Sequence, residues 1–376
     1  MVGKSTFYKL NQYTNNFAKI EDIDSNLVYS KRDNCKQLWL TILIITYKRP
    51  DVLKDAIRSI LGQKSVAYLW EVVVMDNNPE STVPDWFDGM VSNLNVRYYI
   101  NAQNLGHEGN INRGIQLAKG EWVALLHDDD LLVPNYLQLI PAYIKAARKW
   151  KRPLAYIRAN YEEFYGNVQE IFFSKQQIAE NTLFWRKSGW LGPLINGIGP
   201  TSINSCGSLV NKQYFINIGG YNETFNPIGD STLGLIFMNN EYSIAETSVP
   251  LGYYRQGKNL SSNIETLYDF LRADYYLREF LYQRNTFFRI FGYCFRDAQF
   301  YLQLQDRKSR AAYLGLDLIE EKVNLPVGGK KPFFRMKIVV LLQKIYLVLH
   351  RPNYIVVKWR KHNESGNLSR WIWNKN

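Results

Sequence analysis

Three consecutive carboxylates, Asp128-Asp129-Asp130, follow the apolar run Trp122–Leu126 after a single intervening residue, His127. Adjacent carboxylates at a strand end repel one another and call for a compensating cation. A hard divalent ion, Mg²⁺ or Mn²⁺, binds through one or two carboxylates and completes its shell with water and phosphate oxygens. An exposed acidic turn, or a helix begun by Leu131-Leu132-Val133-Pro134, is the plainer alternative for the same residues. Asp76 ends a second apolar run and precedes Asn77-Asn78-Pro79. Its carboxylate can accept hydrogen bonds from a base or ribose, or simply shape an Asp-Asn turn. Thr46, Tyr47 and Arg49 end a third run. There a tyrosine can stack on a base and a guanidinium can face phosphate, although a surface loop would carry the same residues.

The elements that must hold these groups are legible from periodicity. Leu38–Thr46 is a β-branched run of the kind buried on both faces of a sheet, and Trp70–Met75, Val96–Ile100 and Trp122–Leu126 are three more strands. Val52, Leu53, Ala56, Ile57, Ile60 and Leu61 repeat at helical spacing after Asp51, and a second helix is expected from about Gly109 to Ala118. Strands alternating with helices imply a parallel sheet with crossover helices, and such sheets bind ligands at the carboxyl ends of their strands. The polar clusters after the first, second and fourth strands all fall at that edge. Beyond Lys258 the texture changes: residues 264–304 read as aromatic-rich helix interrupted at Gly292, 322–332 as a linker, and Phe333 to Leu349 as an amphipathic helix. Residues 1–36 are polar and Asn-rich and give no clear pattern. The expected organisation is therefore an extension over 1–36, an α/β domain over 37–260 with halves at 37–137 and 138–260, and a helical basic region over 261–376.

Composition bounds the partners. The net charge of +12 is concentrated in the tail, where eleven Lys or Arg from Lys330 onward face one acid, Glu364, leaving +2 for the rest. A near-neutral body with no nucleic-acid motif argues against nucleic acid as a partner. A basic tail interleaved with Phe, Ile, Val, Leu and Trp suits an anionic membrane surface as a peripheral contact. Cys35, Cys206 and Cys294 form neither a disulfide framework nor a zinc spacing, which fits a reducing compartment. No secretory signal and no transmembrane run of about 18 apolar residues is apparent.

Read together, ILIITYKRP at 42–50, VVVMDNN at 72–78, NLGHEGNINRG at 104–114 and WVALLHDDDLLVPNYL at 122–137 resemble the nucleotide-binding half of family-2 glycosyltransferases of GT-A fold. The third piece is similar to the NxGGxGGxNRG form of some members. Gly219-Gly220-Tyr221-Asn222-Glu223 resembles a GGFDE turn, Ile228 to Leu233 an EDxxL segment, and Tyr253-Tyr254-Arg255 to Ser261 a YRxHxxS region. The resemblance spans about 215 residues in order. It implies a Rossmann-like, mostly parallel sheet flanked by helices, and an inverting hexosyltransfer from a nucleotide-diphosphate sugar, UDP or dTDP by resemblance, to a saccharide or lipid-linked acceptor at the inner face of the cell membrane. Surface polysaccharide synthesis is the implied setting.

The same resemblance implies roles. Thr46, Tyr47, Arg49, Asp76, Asn104, Gly106, Asn112, Arg113 and Asp128 would hold the nucleotide sugar, Asp129 and Asp130 would bind Mn²⁺ or Mg²⁺, and Asp230 would be the general base. His127 stands where many members have Asp, and Gly229 replaces a Glu, with Glu223 an alternative base. The chemistry is coherent: a divalent ion neutralises the diphosphate leaving group, and a carboxylate opposite it takes the acceptor proton. Direct attack inverts the anomeric centre and needs no covalent intermediate. His107 and Glu108 lie near the donor site by sequence order, with helix-start packing as their plainer reading. Trp185 and Trp190, beside Gly189, Gly192 and Gly197, are either acceptor platforms or core. A nucleotidyltransferase would want a glycine-rich phosphate loop, which TYKRP lacks, and a non-catalytic scaffold would not need Asp76, Asp128–Asp130 and Asp230 intact.

Overall fold

The computed structural model describes residues 4–32, 38–147, 152–164, 166, 183–186, 204–256, 263–283, 286–313, 315–327 and 332–350. Its strands are β1 (Ser25–Lys31), β2 (Leu38–Thr46), β3 (Trp70–Asp76), β4 (Val96–Asn101), β5 (Gly120–His127), β6 (Leu131–Leu132), β7 (Leu154–Phe164), β8 (Leu183–Arg186), β9 (Ser208–Asn211) and β10 (Ser243–Arg255). The α-helices used below are α1 (Pro50–Leu61), α2 (Trp86–Val91), α3 (Gly106–Leu117), α4 (Tyr136–Ala147), α5 (Lys212–Asn217), α6 (Gly229–Asn239), α7 (Ile264–Gln283), α8 (Thr286–Tyr313) and α9 (Phe333–His350).

Among the described residues, ten strands join one sheet in the order β1-β4-β3-β2-β5-β9-β7-β10-β6, with β8 on β10. The β4-β3-β2-β5 block is parallel, as is the β7-β10 pair, whereas β1, β6, β8 and β9 pair antiparallel. The fold is the expected Rossmann-like α/β sheet flanked by helices, followed by a helical C-terminal part. Alternation along β2 explains its unbroken apolar run. Leu40, Ile42 and Ile44 face one layer with Leu53, Ile57 and Ile60 of α1, Phe87 of α2 and Tyr136, Leu139 and Ile140 of α4. Leu43 and Ile45 face the other, with Ile111 and Ile115 of α3, Phe215 of α5 and Leu233 and Phe237 of α6. A strand covered on both sides is mostly apolar, and the buried Thr41 and Thr46 of β2 are tolerated because their hydroxyls bond Glu71 and Asp128. Burying a Leu or Ile side chain of this kind contributes about 1.5–3 kcal/mol, so α1 alone is held firmly enough to fix Arg49 at its start.

The N-terminal residues form defined elements rather than a patternless extension. Lys4–Asn11 and Ala18–Ile20 are 3₁₀ turns, and β1 extends the sheet beside β4. Phe7 and Leu10 fill a cluster with Phe225, Ile228, Leu277, Phe280 and Leu281, joining the sheet domain to α7. Four of the seven β1 positions are exposed and the other three half-buried, so its sequence carries no apolar alternation. The helical region departs from expectation at Gly292, which lies within α8. Leu267, Leu271, Tyr275, Phe300, Leu304, Met336 and Val339 make a separate core among α7, α8 and α9. Of the expected linker, Lys322 and Val323 sit in a 3₁₀ turn and 328–331 lie outside the described residues. Among the described residues no helix is long and apolar enough to cross a membrane.

Candidate active site

The carboxyl ends of β2, β3 and β5 lie side by side: Thr46 is the register partner of Asp76, and Ile45 that of His127. After His127 the chain turns, with the Asp128 N–H bonded to the Ile45 carbonyl (3.2 Å), and enters β6, which pairs with Gly252 and Tyr253 of β10. Asp128, Asp129 and Asp130 are therefore buried, at 0%, 3% and 1% exposure, which excludes the exposed acidic turn. Buried carboxylates demand donors. Asp128 receives Thr46 Oγ1 (2.7 Å) and two guanidinium nitrogens of Arg49. Asp129 receives Arg49 Nη1 at 2.8 Å. Asp130 Oδ1 receives the Arg255 N–H at 3.1 Å, its Oδ2 is buried with no N–H or O–H donor, and the buried Cys206 thiol bonds the same carboxylate.

These surroundings set the charge states. Burial, with Asp129 adding repulsion, pushes Asp128 up to about 7 against the pull of Arg49 and Thr46. Burial and the Asp129 charge likewise raise Asp130 well above the usual carboxylate range. One ring nitrogen of His127 and one carboxylate oxygen each of Asp129 and Asp130 lie within 4.8 Å of one another, a group able to hold a metal ion. Atoms that ligate one divalent ion stand about 3–5 Å apart. The spare buried oxygen of Asp130 and this spacing fit a cation between them. Arg255 braces the turn further, donating Nε to the Asp129 carbonyl (3.0 Å) and Nη2 to Asp55 (3.0 Å).

Around this turn the other expected residues divide. Tyr47 is 42% exposed, with Lys48 Nζ over one face of its ring, 5.4 Å from the centroid. Asp76 is buried and accepts Tyr98 Oη (2.9 Å) and the Asn78 N–H (3.0 Å), so it also shapes its own turn. Asn104 and Gly106 sit exposed at the mouth of the β3–β4 edge, tied through Asn77, whose Nδ2 reaches both Asn104 Oδ1 (2.7 Å) and the Gly106 carbonyl (3.0 Å). Asn112 and Arg113 do not join them. Asn112 is buried against Tyr221, and Arg113 donates to the Ile20 and Ile23 carbonyls of the N-terminal segment. Distance along the helix explains this: on α3, residues 112 and 113 lie about 9–10 Å further along the axis than Gly106.

Asp230 lies in the first turn of α6 and accepts Tyr221 Oη at 2.8 Å. Burial, seconded by Glu108, pushes it up to about 6, against the Tyr221 bond and the charges of His107 and Arg158. Between Asp230 and the acidic turn stand residues given little weight from sequence. His107 Nδ1 meets Glu108 Oε1 (3.4 Å), and its Nε2 meets His127 Nε2 (3.4 Å). Glu108 is held by Asn226 at 2.8 Å, and a side chain at Gly229 would press on Glu108 at 3.4 Å. Burial pulls His107 down, but the Glu108 bond and charge and the Asp230 charge outweigh it and leave it raised. Burial, with His107 and Arg49 adding to it, lowers His127 to about 3, so its ring is neutral, bonded to Ser205 Oγ at 2.8 Å. Glu223 pairs with Lys19 in the exposed layer, away from this cluster. The structure describes Trp185 only as part of β8; Trp190, Gly189, Gly192, Gly197 and residues 257–262 lie outside the described residues. A cavity of about 300 Å³ between the N-terminal segment and the end of α6 contains none of these carboxylates.

The strand-end group of His127, Asp129 and Asp130 and the exposed Tyr47 fall in the part of the chain that is similar to known proteins. Residues 41–178 match the model of glycosyl transferase family 2. That segment holds Thr46 through Asp130 and stops short of Asp230. Over 108 residues the chain is 33% identical to the GalNAc(5)-diNAcBac-PP-undecaprenol beta-1,3-glucosyltransferase of Campylobacter jejuni, covering 27% of this chain and 33% of that protein. Over 99 residues it is 32% identical to the succinoglycan biosynthesis protein ExoO of Rhizobium meliloti, covering 26% and 28%. Over 108 residues it is 28% identical to the uncharacterized glycosyltransferase YwdF of Bacillus subtilis, covering 29% and 39%. The matches thus span well under half the length of these relatives. Among solved structures, S. aureus TarS 1-349 superposes with TM-score 0.45 at 16% identity, covering 82% of this chain and 91% of that one.

Proposed function

We propose that the chain is an inverting glycosyltransferase that moves a sugar from a nucleotide-diphosphate sugar, of uridine or thymidine, to a hydroxyl of a saccharide or lipid-linked saccharide. The observation that carries this is the pairing of a buried, cation-ready acidic turn with a second carboxylate, Asp230, across the His107–His127 contact. The match over residues 41–178 supports the reaction class. The glucosyltransferase named for an undecaprenol-linked substrate and the succinoglycan protein support a lipid-linked acceptor and a polysaccharide product.

In this reading Tyr47 stacks on the base, Asp76 binds the nucleoside, and Asn104 and Gly106 border the donor. Arg49 leaves part of its hold on Asp128 and Asp129 to face the diphosphate, which a forked guanidinium does well. Asp129, Asp130 and His127 would hold a Mn²⁺ or Mg²⁺ ion, which supplies charge neutralisation for the leaving diphosphate when bound. Asp230 takes the acceptor proton at a carboxylate oxygen, while Tyr221 fixes its orientation. Asn112 and Arg113 act at a distance, by holding Tyr221 and the N-terminal segment. The exposed face of α9, with Phe333, Phe334 and Leu341 at 62%, 77% and 56% exposure, is the membrane-contacting surface. It would place the enzyme at the inner face of the membrane.

The test is a thermal-shift series with UDP, dTDP, GDP and CDP, each with Mn²⁺ and with EDTA. A ligand of the folded state raises apparent stability by about 2.7 kcal/mol at a hundredfold excess over Kd. A shift for UDP or dTDP that EDTA abolishes is expected. Stability unmoved by every nucleotide overturns the transferase reading.

A further inference from the structure

We propose that the cavity between the N-terminal segment and the end of α6 is a second binding site, apart from the strand-end carboxylates, for a neutral sugar ring of a glycan. The proposal goes beyond the transfer reaction and stands on the lining of the cavity alone. Its volume, about 300 Å³, is at the lower end of the range for small-molecule sites. Amide side chains dominate the wall: Asn11, Gln12, Asn16, Asn222, Asn239 and Asn240. Lys9 is the one charged residue of the lining, and no carboxylate belongs to it. An amide both donates and accepts hydrogen bonds, as a sugar hydroxyl does. A phosphate or carboxylate ligand would call for guanidinium or several cations instead. Tyr13, also on the wall and 68% exposed, offers a ring to the C–H face of a sugar.

The wall is held in place before any ligand arrives. A Cβ at Gly219, where φ is +84°, would strike the Thr14 carbonyl, so the glycine lets the two backbones touch. The Asn16 N–H donates to the Gly219 carbonyl (3.0 Å), and Asn16 Nδ2 donates to the Thr14 and Gly219 carbonyls (3.2 and 3.0 Å). Those bonds fix the Asn16 amide. Its Oδ1 is left buried with no hydrogen-bond partner, on a residue only 5% exposed. A buried acceptor of this kind calls for a donor, which a sugar hydroxyl in the cavity supplies. Asn239 Nδ2 donates to Asn11 Oδ1 (3.1 Å) and Asn240 Nδ2 to the Ile236 carbonyl (2.9 Å). Asn11 Nδ2, Asn239 Oδ1 and Asn240 Oδ1 are then left for further hydroxyls.

The experiment is saturation-transfer difference NMR on the full chain with cellotriose, maltotriose and chitotriose, each with and without UDP, and with inorganic phosphate as the anionic probe. The expected result is transfer to the ring protons of at least one trisaccharide, unchanged by UDP. Asn11→Ala together with Asn239→Ala, both at exposed positions, should weaken that trisaccharide by about tenfold or more, in line with lost hydrogen bonds. UDP binding should stay as in the wild-type chain. Absence of transfer to all three sugars overturns the proposal. Binding untouched by the double substitution overturns it too, by moving the sugar elsewhere, and competition by UDP does so by moving it to the donor site. Displacement by inorganic phosphate overturns it by making Lys9 the centre of an anion site. A failure of UDP to bind counts against the donor-site reading, while the sugar signal and its response to the double substitution still decide this one.

Discussion

Asn112 and Tyr221, 109 residues apart, are joined by two reciprocal hydrogen bonds: Asn112 Nδ2 donates to the Tyr221 carbonyl (2.9 Å), and the Tyr221 N–H donates to Asn112 Oδ1 (2.8 Å). The phenol of that tyrosine then donates to Asp230. A residue of α3 thus positions the proposed base on α6 through a third residue. Asn112→Ala should lower kcat by about ten- to a hundredfold, by misplacing the base, while UDP binding measured by calorimetry changes little. It should also cost about 1–3 kcal/mol of stability, because the buried Tyr221 N–H loses its acceptor. An equal loss of UDP affinity would show that Asn112 belongs to the donor site.

Asp230→Asn should reduce transfer by about 10²–10⁴-fold, the range for a general base, and keep nucleotide binding. Retention of most turnover in that variant removes Asp230 from the role.

The pH profile carries an independent sign. Asp230 is held up to about 6, so it is protonated below that value and unable to accept the acceptor proton. The rate should rise with pH through about 6, and by about tenfold per pH unit below it. Tyr221→Phe removes a bond that lowers Asp230, so the acid limb should move to higher pH. For stability the sign is reversed from the usual carboxylate. A folded-state value raised from 3.8 to about 6 means that Asp230 opposes folding above pH 6, and that this opposition is lost as pH falls from about 6 towards 3.8. Asp230→Asn should therefore melt no lower than wild type at pH 8, a point checked by calorimetry.

At the opposite edge of the sheet, Glu71 and Arg97 form a buried pair, 0% and 4% exposed at the side chain, with Thr41, Tyr99, the Leu117 carbonyl and the Lys119 N–H completing their bonds. Removing one partner strands the other charge. Glu71→Ala should cost about 3–5 kcal/mol in chemical denaturation. The surviving folded fraction should bind UDP with wild-type affinity, because the pair lies away from the strand ends that hold the site.

On α9, Phe334→Glu together with Leu341→Glu should weaken co-sedimentation with vesicles containing anionic lipid by about tenfold or more, through lost apolar burial and added negative charge. Transfer to a soluble saccharide acceptor should be unaffected. Unchanged sedimentation would remove this helix as the contact.

How much of this was legible before folding follows from how local each signal is. The parallel block β2 to β5 is written in mainly β-branched and apolar runs, because a strand covered on both faces buries a polar group only where a partner such as the Glu71–Arg97 pair satisfies it. The helices α1 and α3 are written in apolar spacing, and the strand-end clusters in turn-forming Asp and Asn. Those periodicities, with the direction that crossover helices impose, sufficed to bring Thr46, Asp76 and Asp128 to one edge. β1 escaped because it contributes hydrogen bonds at an edge rather than a buried face, and backbone pairing leaves no trace in side-chain type. The division of labour within the acidic triplet also could not be read locally. Arg49 claims Asp128 and part of Asp129, the β10 backbone claims one oxygen of Asp130, and only the remaining oxygens are open to an ion. Likewise the His107–His127 contact, the Glu108–Asn226 bond and the Asn112–Tyr221 clamp join residues 20 to 118 positions apart. Sequence determines which groups arrive at the sheet edge, because strand and helix periods are properties of neighbouring residues. Which groups pair there is decided by tertiary distance, since charge and hydrogen bonding act over a few ångströms of space and are indifferent to separation along the chain.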